Sequence, residues 1–334
     1  AIIVDGINEL IRGLCEAVRI DPNAIYEASV VGNTTMNHIF LGFPVAQLGQ
    51  APYQAHSTNA HDVSPGSLGL TMNPAGNVHT AENIAGFVGA DTTAVALAVD
   101  IGSATQMTLV VDIGTNGELV LGMGERLYAA SCAAGPALEG ARIRCGSRAV
   151  DGAIEAVIID NDDITIDVIG GGKPLSICGS GLIDAVAVLL ELGVVETSGR
   201  FADIEETRSK CSAAVASRRI EVEGQPAFCL AKDLETFEPA VVLTQRDIRE
   251  FQLAKGAIQA GIRLLLAKMG IDAGGLERVL LAGAFGNYIR PASAVRVGLL
   301  PNVPLERIHF VGNAAASGAQ MLLLSDECRA TAAA

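Results

Sequence analysis

Apolar residues fall at helical spacing from Ile7 to Arg19 (Ile7, Leu10, Ile11, Leu14 and Val18), and Asp21-Pro22 ends that run. Tyr26 to Val31 reads as a strand, and Gly32-Asn33-Thr34-Thr35 opens a helix expected to reach Leu41. Pro44 to Thr80 is rich in Pro, Gly, Asn and Ser with weak periodicity, and is expected to be one long connection. Ala85 to Val99 reads as a glycine-rich entry into an alanine-rich helix. From Met107 the pattern turns to strands, at Met107 to Asp112, Glu118 to Met123 and Arg126 to Ser131. The short glycine turns between them predict a β-meander. Ala153 to Asp160 and Ile164 to Ile169 read as further strands, and Cys178-Gly179-Ser180-Gly181 leads a helix to about Leu192. Glu196 to Glu238 is charged and irregular, with a hairpin expected around Gly224, and reads as an insertion. Thr244 and Asp247 resemble an N-cap pair opening a long helix to about Met269. Val279 to Leu281 then forms a strand running into Gly283-Ala284-Phe285-Gly286. Ile308 to Val311 is the last strand and Asn313 to Leu324 the last helix.

Two pieces of this pattern occur twice. A strand meeting a glycine turn appears at Val30-Val31-Gly32-Asn33-Thr34 and again at Leu281-Ala282-Gly283-Ala284-Phe285. A Val-Gly step into an alanine-rich helix appears at Val88-Gly89-Ala90-Asp91-Thr92 and at Val311-Gly312-Asn313-Ala314-Ala315. A full meander precedes the second set and a single helix the first. The expectation is two related α/β halves: residues 1–100, which lack the opening strands, and residues 101–334, with the insertion near 196–240.

Composition narrows the function. A chain of 334 residues, 50% of them hydrophobic, exceeds the roughly 250 to 300 at which a single core stops growing, so it divides into subdomains. The net charge is −14 and no Lys/Arg run is present, which argues against a nucleic-acid partner. Apolar stretches such as Val186 to Val195 are broken by Glu191 and fall short of the ~20 residues that span a bilayer. No export signal follows Ala1, so a cytoplasmic location is expected. The cysteines (Cys15, Cys132, Cys145, Cys178, Cys211, Cys229, Cys328) are scattered without a CxxC pair, and reduced, mostly buried thiols are expected rather than a zinc or iron–sulfur site. His38, His56, His61 and His79 lack ligand spacing and read as surface or hydrogen-bonded residues.

The most informative stretch runs from Val110 to Val120. An apolar strand delivers Asp112, a tight turn follows at Ile113-Gly114-Thr115-Asn116-Gly117, and Glu118 starts a second strand. Such a turn exposes successive backbone N–H groups, and glycine lets phosphate oxygens approach them. Thr115, Asn116 and Gly117 would hold phosphate. Asp112 would bind Mg²⁺ through water, since Mg²⁺ keeps several waters and takes few carboxylates. The competing reading is an ordinary hairpin, because Asn-Gly is a strong turn dipeptide. The near copy Val99-Asp100-Ile101-Gly102-Ser103 follows a helix and is read as a helix-ending turn.

DIGTNGE at Asp112, followed by Gly135-Pro136, Glu139-Gly140, Cys178-Gly179-Ser180-Gly181 and LAGAFGNY at Leu281 to Tyr288, resembles the superfamily of acetate and sugar kinases, chaperone ATPases and actin. Within it, the words VVGNTTMNH, GFVGADTTA, DIGTNGE, AAGPALEGA, ICGSGLIDA and LAGAFGNYI resemble the ATP-dependent reductive activators of corrinoid proteins, over nearly the whole chain from about Ile7 to Leu324. The resemblance implies an α/β actin-like ATPase (ASKHA) fold of two RNase H-like halves, the first incomplete. It implies ATP and Mg²⁺ as cofactors and, as partner, the corrinoid protein of a methyltransferase system, whose Co(II) is returned to Co(I). In that family an iron–sulfur domain and an earlier DIGTTT-type loop stand N-terminal to the matching region. Neither is in this sequence, so the chain is expected to be a C-terminal piece that does not reduce a corrinoid alone and binds nucleotide more weakly.

Residue by residue, Asp112, Gly114, Thr115, Asn116 and Gly117 match the second phosphate loop, with Asp112 the catalytic and metal-binding position. Gly283, Ala284, Phe285, Gly286 and Asn287 match the adenosine segment. Gln252, Lys255 and Gly256 share a helix face, and similar helices flank adenine in relatives; the alternative is a solvated face. Gly256 would relieve crowding there, or serve helix packing. Gly179, Ser180 and Gly181 offer either N–H groups to an anion or a simple helix cap. Asn33, Thr34 and Thr35 match a cleft-facing turn or an N-cap. The competing functions are a small-molecule kinase on the same fold, for which no acceptor-site signature stands out, and a non-catalytic actin-like interaction module. Whether the chain forms a homo-oligomer is left open.

Overall fold

A computed structural model describes residues 2–233, 235–236, 238–283 and 288–334. The chain opens with α1 (Ile2–Val18), β1 (Glu27–Val30) and α2 (Thr34–Leu41). Asn33 caps α2 by accepting from Met36 N at 2.9 Å, which is the N-cap alternative for that turn. Next come β2 (His61–Val63), α3 (Pro65–Leu68), β3 (Asn77–Thr80) and α4 (Ala90–Ala98). Pro44 to Thr80 is therefore not one connection: β3 is the middle strand of a sheet ordered β1-β3-β2, parallel to β1 from Glu27↔Asn77 to Val30↔Thr80. These strands are too short to build an alternation of their own, and their register is set by a partner far away in sequence.

The meander follows as β4 (Thr108–Ile113), β5 (Gly117–Met123) and β6 (Arg126–Cys132). Beyond it lie β7 (Ala153–Asp160), β8 (Asp163–Val168), β9 (Ser176–Ile177) and α5 (Gly179–Glu191). The presumed insertion is more regular than expected, with α6 (Ile204–Lys210), α7 (Ala213–Ser217), and a sheet of β10 (Arg219–Val222), β11 (Gln225–Lys232) and β12 (Pro239–Thr244). Helix α8 (Gln245–Met269) starts in a capping box: Thr244 Oγ1 accepts from Asp247 N while Asp247 Oδ2 accepts from Thr244 N at 2.8 Å. The chain ends with β13 (Arg278–Ala282), α9 (Pro291–Arg296), β14 (Ile308–Gly312), α10 (Ala314–Leu324) and α11 (Asp326–Ala332). The central sheet is ordered β14-β13-β4-β5-β6. Just after α4, Ile101–Ser103 forms a 3₁₀ turn with Asp100 as its N-cap, in keeping with the helix-ending turn read from the sequence.

The twofold pattern is carried by the backbone. β1 runs parallel to β3, and β13 parallel to β14. In the first copy Asp91 N donates to Gly32 O at 3.3 Å, and in the second Gly283 N donates to Gly312 O at 2.9 Å. In each copy the glycine turn and the Val-Gly step thus meet, and α4 or α10 leaves from the second element.

Two compact units result, one of Ala1–Thr108, Val120–Ser131 and Asn313–Ala334, the other of Leu109–Leu119 and Cys132–Gly312. The first has a core of Val4, Phe40, Leu70, Met72 and Val78. In the second, α5 is buried from Gly179 to Leu189 and lies along β7. No helix among the described residues is long and apolar enough to cross a membrane.

Candidate functional site

The second unit contains a cavity of about 440 Å³ lined by the end of β4 (Asp112, Ile113, Gly114), the start of α5 (Cys178, Gly179, Ser180), Gly283, Tyr288, and a turn contributing Leu138, Glu139, Ser147, Arg148 and Ala149, with Glu155 of β7. That volume lies within the range of sites for cofactors and small molecules.

Each wall has a local cause. β4 buries Leu109, Val110, Val111 and Ile113, which leaves Asp112 half-buried at the cavity, and Gly114 N donates to Asn116 O at 3.0 Å to close the turn. Gly283 lies in the left-handed region at φ +94°, and a methyl group there would come 2.7 Å from Asp112 Oδ1. Only glycine lets β13 end so close to the carboxylate. At the start of α5, Cys178 supplies no side-chain cap, so first-turn N–H groups lack a side-chain acceptor. Ser180 Oγ donates to Glu155 O at 2.8 Å, and Cys178 N donates to Ile154 O at 3.1 Å, joining this helix end to β7.

The lining carries the carboxylates Asp112, Glu139 and Glu155 and one guanidinium, Arg148. No group of three His, Cys, Asp or Glu side chains able to hold a metal occurs among the described residues. Carboxylate oxygens without such a cage fit a hard cation that arrives with waters or a ligand's oxygens, as Mg²⁺ does.

Asp112, Gly114, Gly179, Ser180 and Gly283 thus meet at one cavity. Thr115 does not line it, but its hydroxyl donates to Glu139, which does. Asn116 is half-buried outside the lining, and Gly117 is buried, where a methyl group would come 2.9 Å from Ile258 of α8, so it serves packing. Gly181 likewise presses α5 onto β7, 2.2 Å separating an added methyl from Ile154 O. Ala284, Phe285, Gly286 and Asn287 lie outside the described residues.

Gln252, Lys255 and Gly256 are not brought to the cavity. Gln252 Nε2 donates to Ser198 O at 3.0 Å and Lys255 Nζ to Val297 O at 2.6 Å, so this face ties down neighbouring backbone instead of being wholly solvated. Burial, with the charge of Arg263 adding to it, pulls the Lys255 ammonium below its ordinary pKa. A methyl group on Gly256 would meet no protein atom within 4 Å, so helix packing does not account for this glycine. Glu139, Ser147, Arg148, Glu155 and Tyr288 were not singled out from the sequence as site residues. For Arg148 a signal existed, since Arg142, Arg144 and Arg148 crowd one short stretch of an acidic chain.

The histidines are surface or hydrogen-bonded residues, as expected: His38 Nε2 accepts from the backbone N of His56 at 3.0 Å, His61 Nε2 lies 2.8 Å from Ser57 Oγ, His79 Nδ1 lies 3.1 Å from Asp62, and His56 itself is exposed. All the cysteines are free, with Cys15, Cys132, Cys178 and Cys229 buried.

An α/β chain with this doubled strand pattern and a strand-end aspartate facing a glycine turn has the actin-like, ASKHA class of fold. Residues 106–334 match the family model described as the C-terminal domain of RACo, the ASKHA domain, and residues 1–104 match the RACo middle region. The chain belongs to the RACo family, the reductive activators of corrinoid proteins. It is 39% identical to the corrinoid activation enzyme RamQ of Eubacterium limosum, over 97% of this chain and 54% of that protein. It is 29% identical to the [Co(II) methylated amine-specific corrinoid protein] reductase of Methanosarcina barkeri, over 71% of this chain and 42% of that protein. A solved reductive activator for corrinoid, iron–sulfur protein superposes with a TM-score of 0.85 at 36% identity, covering 98% of this chain and 51% of the other. The chain therefore spans about half the length of the relatives it matches.

Proposed function

We propose that the cavity binds the magnesium complex of ATP, and that the chain is the nucleotide-responsive part of a reductive activator supporting ATP-dependent reduction of Co(II) to Co(I) in the corrinoid protein of a methyltransferase system. The observation that carries the reading is the convergence of Asp112, the left-handed Gly283 packed on it, and the uncapped start of α5 at Gly179. A helix start without an acidic first turn favours phosphate. Three carboxylates against one arginine would repel bare triphosphate, which favours a metal-neutralised nucleotide. Mg²⁺ would sit beside Asp112 through water and draw charge from the phosphates. Tyr288, 60% exposed at the rim, offers an aromatic face to a base.

In this reading residues 1–100 form the incomplete first half and 101–334 the second, the protein works in the cytoplasm, and an iron–sulfur domain supplies the electron. For ATP to drive the cycle it must bind two conformers with different affinity, since equal affinity shifts nothing.

The test is MgATP binding by the wild-type chain and by Asp112→Ala. The variant is expected to weaken Mg²⁺-dependent affinity by at least about ten-fold. Unchanged affinity would remove the assignment, whereas ATP turnover stimulated by a corrinoid protein would support it.

A further inference from the structure

Glu139 enters the cavity from a turn that is held on several sides. It ends a 3₁₀ turn, Pro136–Glu139, and Gly140 follows in the left-handed region at φ +84°. A methyl group on Gly140 would come 2.4 Å from Ser147 O, and one on Gly146 would come 2.0 Å from Gly140 O, so the two ends of the 140–147 loop touch backbone to backbone. Between them, Arg144 N donates to Asp247 Oδ1 at 2.8 Å. Asp247 is itself buried, with its other oxygen engaged in the α8 capping box. Glu139 is thus fixed to the start of a 25-residue helix rather than carried on a free loop.

Its carboxylate is also oriented. Thr115, in the turn after Asp112, donates its hydroxyl to Glu139 Oε1, and no Lys or Arg pairs with Glu139 among the described residues. One oxygen is held by the turn that follows Asp112, which leaves the other to accept a proton. The remaining carboxylates are differently placed. Asp112 abuts Gly283, and Glu155 lies beside the first turn of α5.

Resting on the MgATP reading of this cavity, we propose that Glu139 is the proton acceptor for the water that attacks the terminal phosphorus of ATP. The water oxygen forms a bond to the γ-phosphorus while the bond from that phosphorus to the β,γ-bridging oxygen breaks. ADP leaves with the electron pair, and the water's proton passes to Glu139 and then to solvent. No electron transfer is involved, and water is the only co-reactant.

The experiment compares the wild-type chain with Glu139→Gln, measuring equilibrium MgATP affinity and single-turnover hydrolysis, the latter across pH. Glu139→Gln is expected to keep affinity within about three-fold, lower hydrolysis on the order of 10²-fold, and remove the acid limb of the rate profile. Thr115→Val, which frees the carboxylate without deleting it, is expected to slow hydrolysis more than it weakens affinity, and serves if Glu139→Gln fails to fold. Hydrolysis unchanged in Glu139→Gln overturns the proposal while leaving the binding reading intact. Equal losses of affinity and turnover also overturn it, since they assign Glu139 a structural role. Absence of MgATP binding by the wild-type chain removes the binding reading itself, and the proposal with it.

Discussion

Arg290 reaches the buried Asp184 of α5 with two nitrogens, Nε at 2.9 Å and Nη2 at 2.6 Å from Oδ2, and Nη2 also donates to Val157 O at 2.5 Å. The arrangement is asymmetric, because the Asp184 side chain is 1% exposed while that of Arg290 is 40% exposed. The other carboxylate oxygen, Oδ1, has no hydrogen-bond partner among the described residues. Removing the arginine therefore strands a buried charge, whereas neutralising the aspartate leaves a guanidinium that water reaches. Arg290→Ala is expected to destabilise by about 3–5 kcal/mol and Asp184→Asn by about 1–2 kcal/mol. Urea unfolding of the two variants measures this, and the reverse order would show that the pair is not what holds the residues before α9 to α5.

Gly283→Ala makes a sharper statement about the site. The new methyl would sit 2.7 Å from Asp112 Oδ1 and 3.0 Å from Ile113 O, at a backbone φ of +94°. A left-handed alanine costs about 1–2 kcal/mol before any clash is counted. The carboxylate must also move. MgATP affinity is expected to fall by at least about ten-fold with a modest loss of stability, which separates it from a purely structural lesion. Isothermal titration beside thermal unfolding distinguishes the two; affinity preserved in a destabilised variant would mean that Asp112 does not face the ligand.

Two glycines of α8 predict opposite signs. A methyl group on Gly261 would come 2.2 Å from Cys132 Sγ and 2.7 Å from Leu119 Cδ1, so Gly261→Ala is expected to destabilise by about 1–3 kcal/mol through overpacking. Gly256 is exposed and open to 4 Å, so Gly256→Ala should stabilise by about 0.5–1 kcal/mol through helix propensity. Both values come from denaturant midpoints at constant slope. A destabilising Gly256→Ala would point to a close neighbour at that position.

The same helix shows what could be read in the sequence. Its limits were legible because their causes are local: Thr244 and Asp247 make the capping box, and Gly270 stops the last turn in the left-handed region. The strand that delivers Asp112 was legible for the same reason, as an apolar run before a tight turn. Which glycine packs the helix was not, because Gly256 and Gly261 look alike until Cys132 and Leu119 are brought beside one of them. Glu139 was visible only as part of a resembling word. Its place in the cavity depends on the backbone contact between Gly140 and Ser147 and on the Thr115 hydroxyl, none of which leaves a periodic trace. β3 was missed because its pairing with β1 spans fifty positions, Glu27 to Asn77.

His38 gives the first unit a dependence on pH. It is buried on α2, and its Nε2 accepts from His56 N at 3.0 Å and Ser57 N at 3.3 Å, which requires the neutral ring with its proton on Nδ1. Burial holds its pKa below the ordinary imidazole value; the backbone at Thr34 opposes this, and the nearby His56 and His61 add to the lowering. Because the folded pKa is depressed, the unfolded chain takes up this proton first as pH falls. The contribution of neutral His38 is complete above the unfolded value of about 6.5 and declines as pH drops from there through the folded pKa. His38→Gln, whose side-chain oxygen can still accept from the same amides, lacks this titration. Unfolding free energies from about pH 7.5 to about pH 5 should therefore fall more steeply for wild type than for the variant. Parallel slopes would mean that protonation of His38 is not coupled to folding.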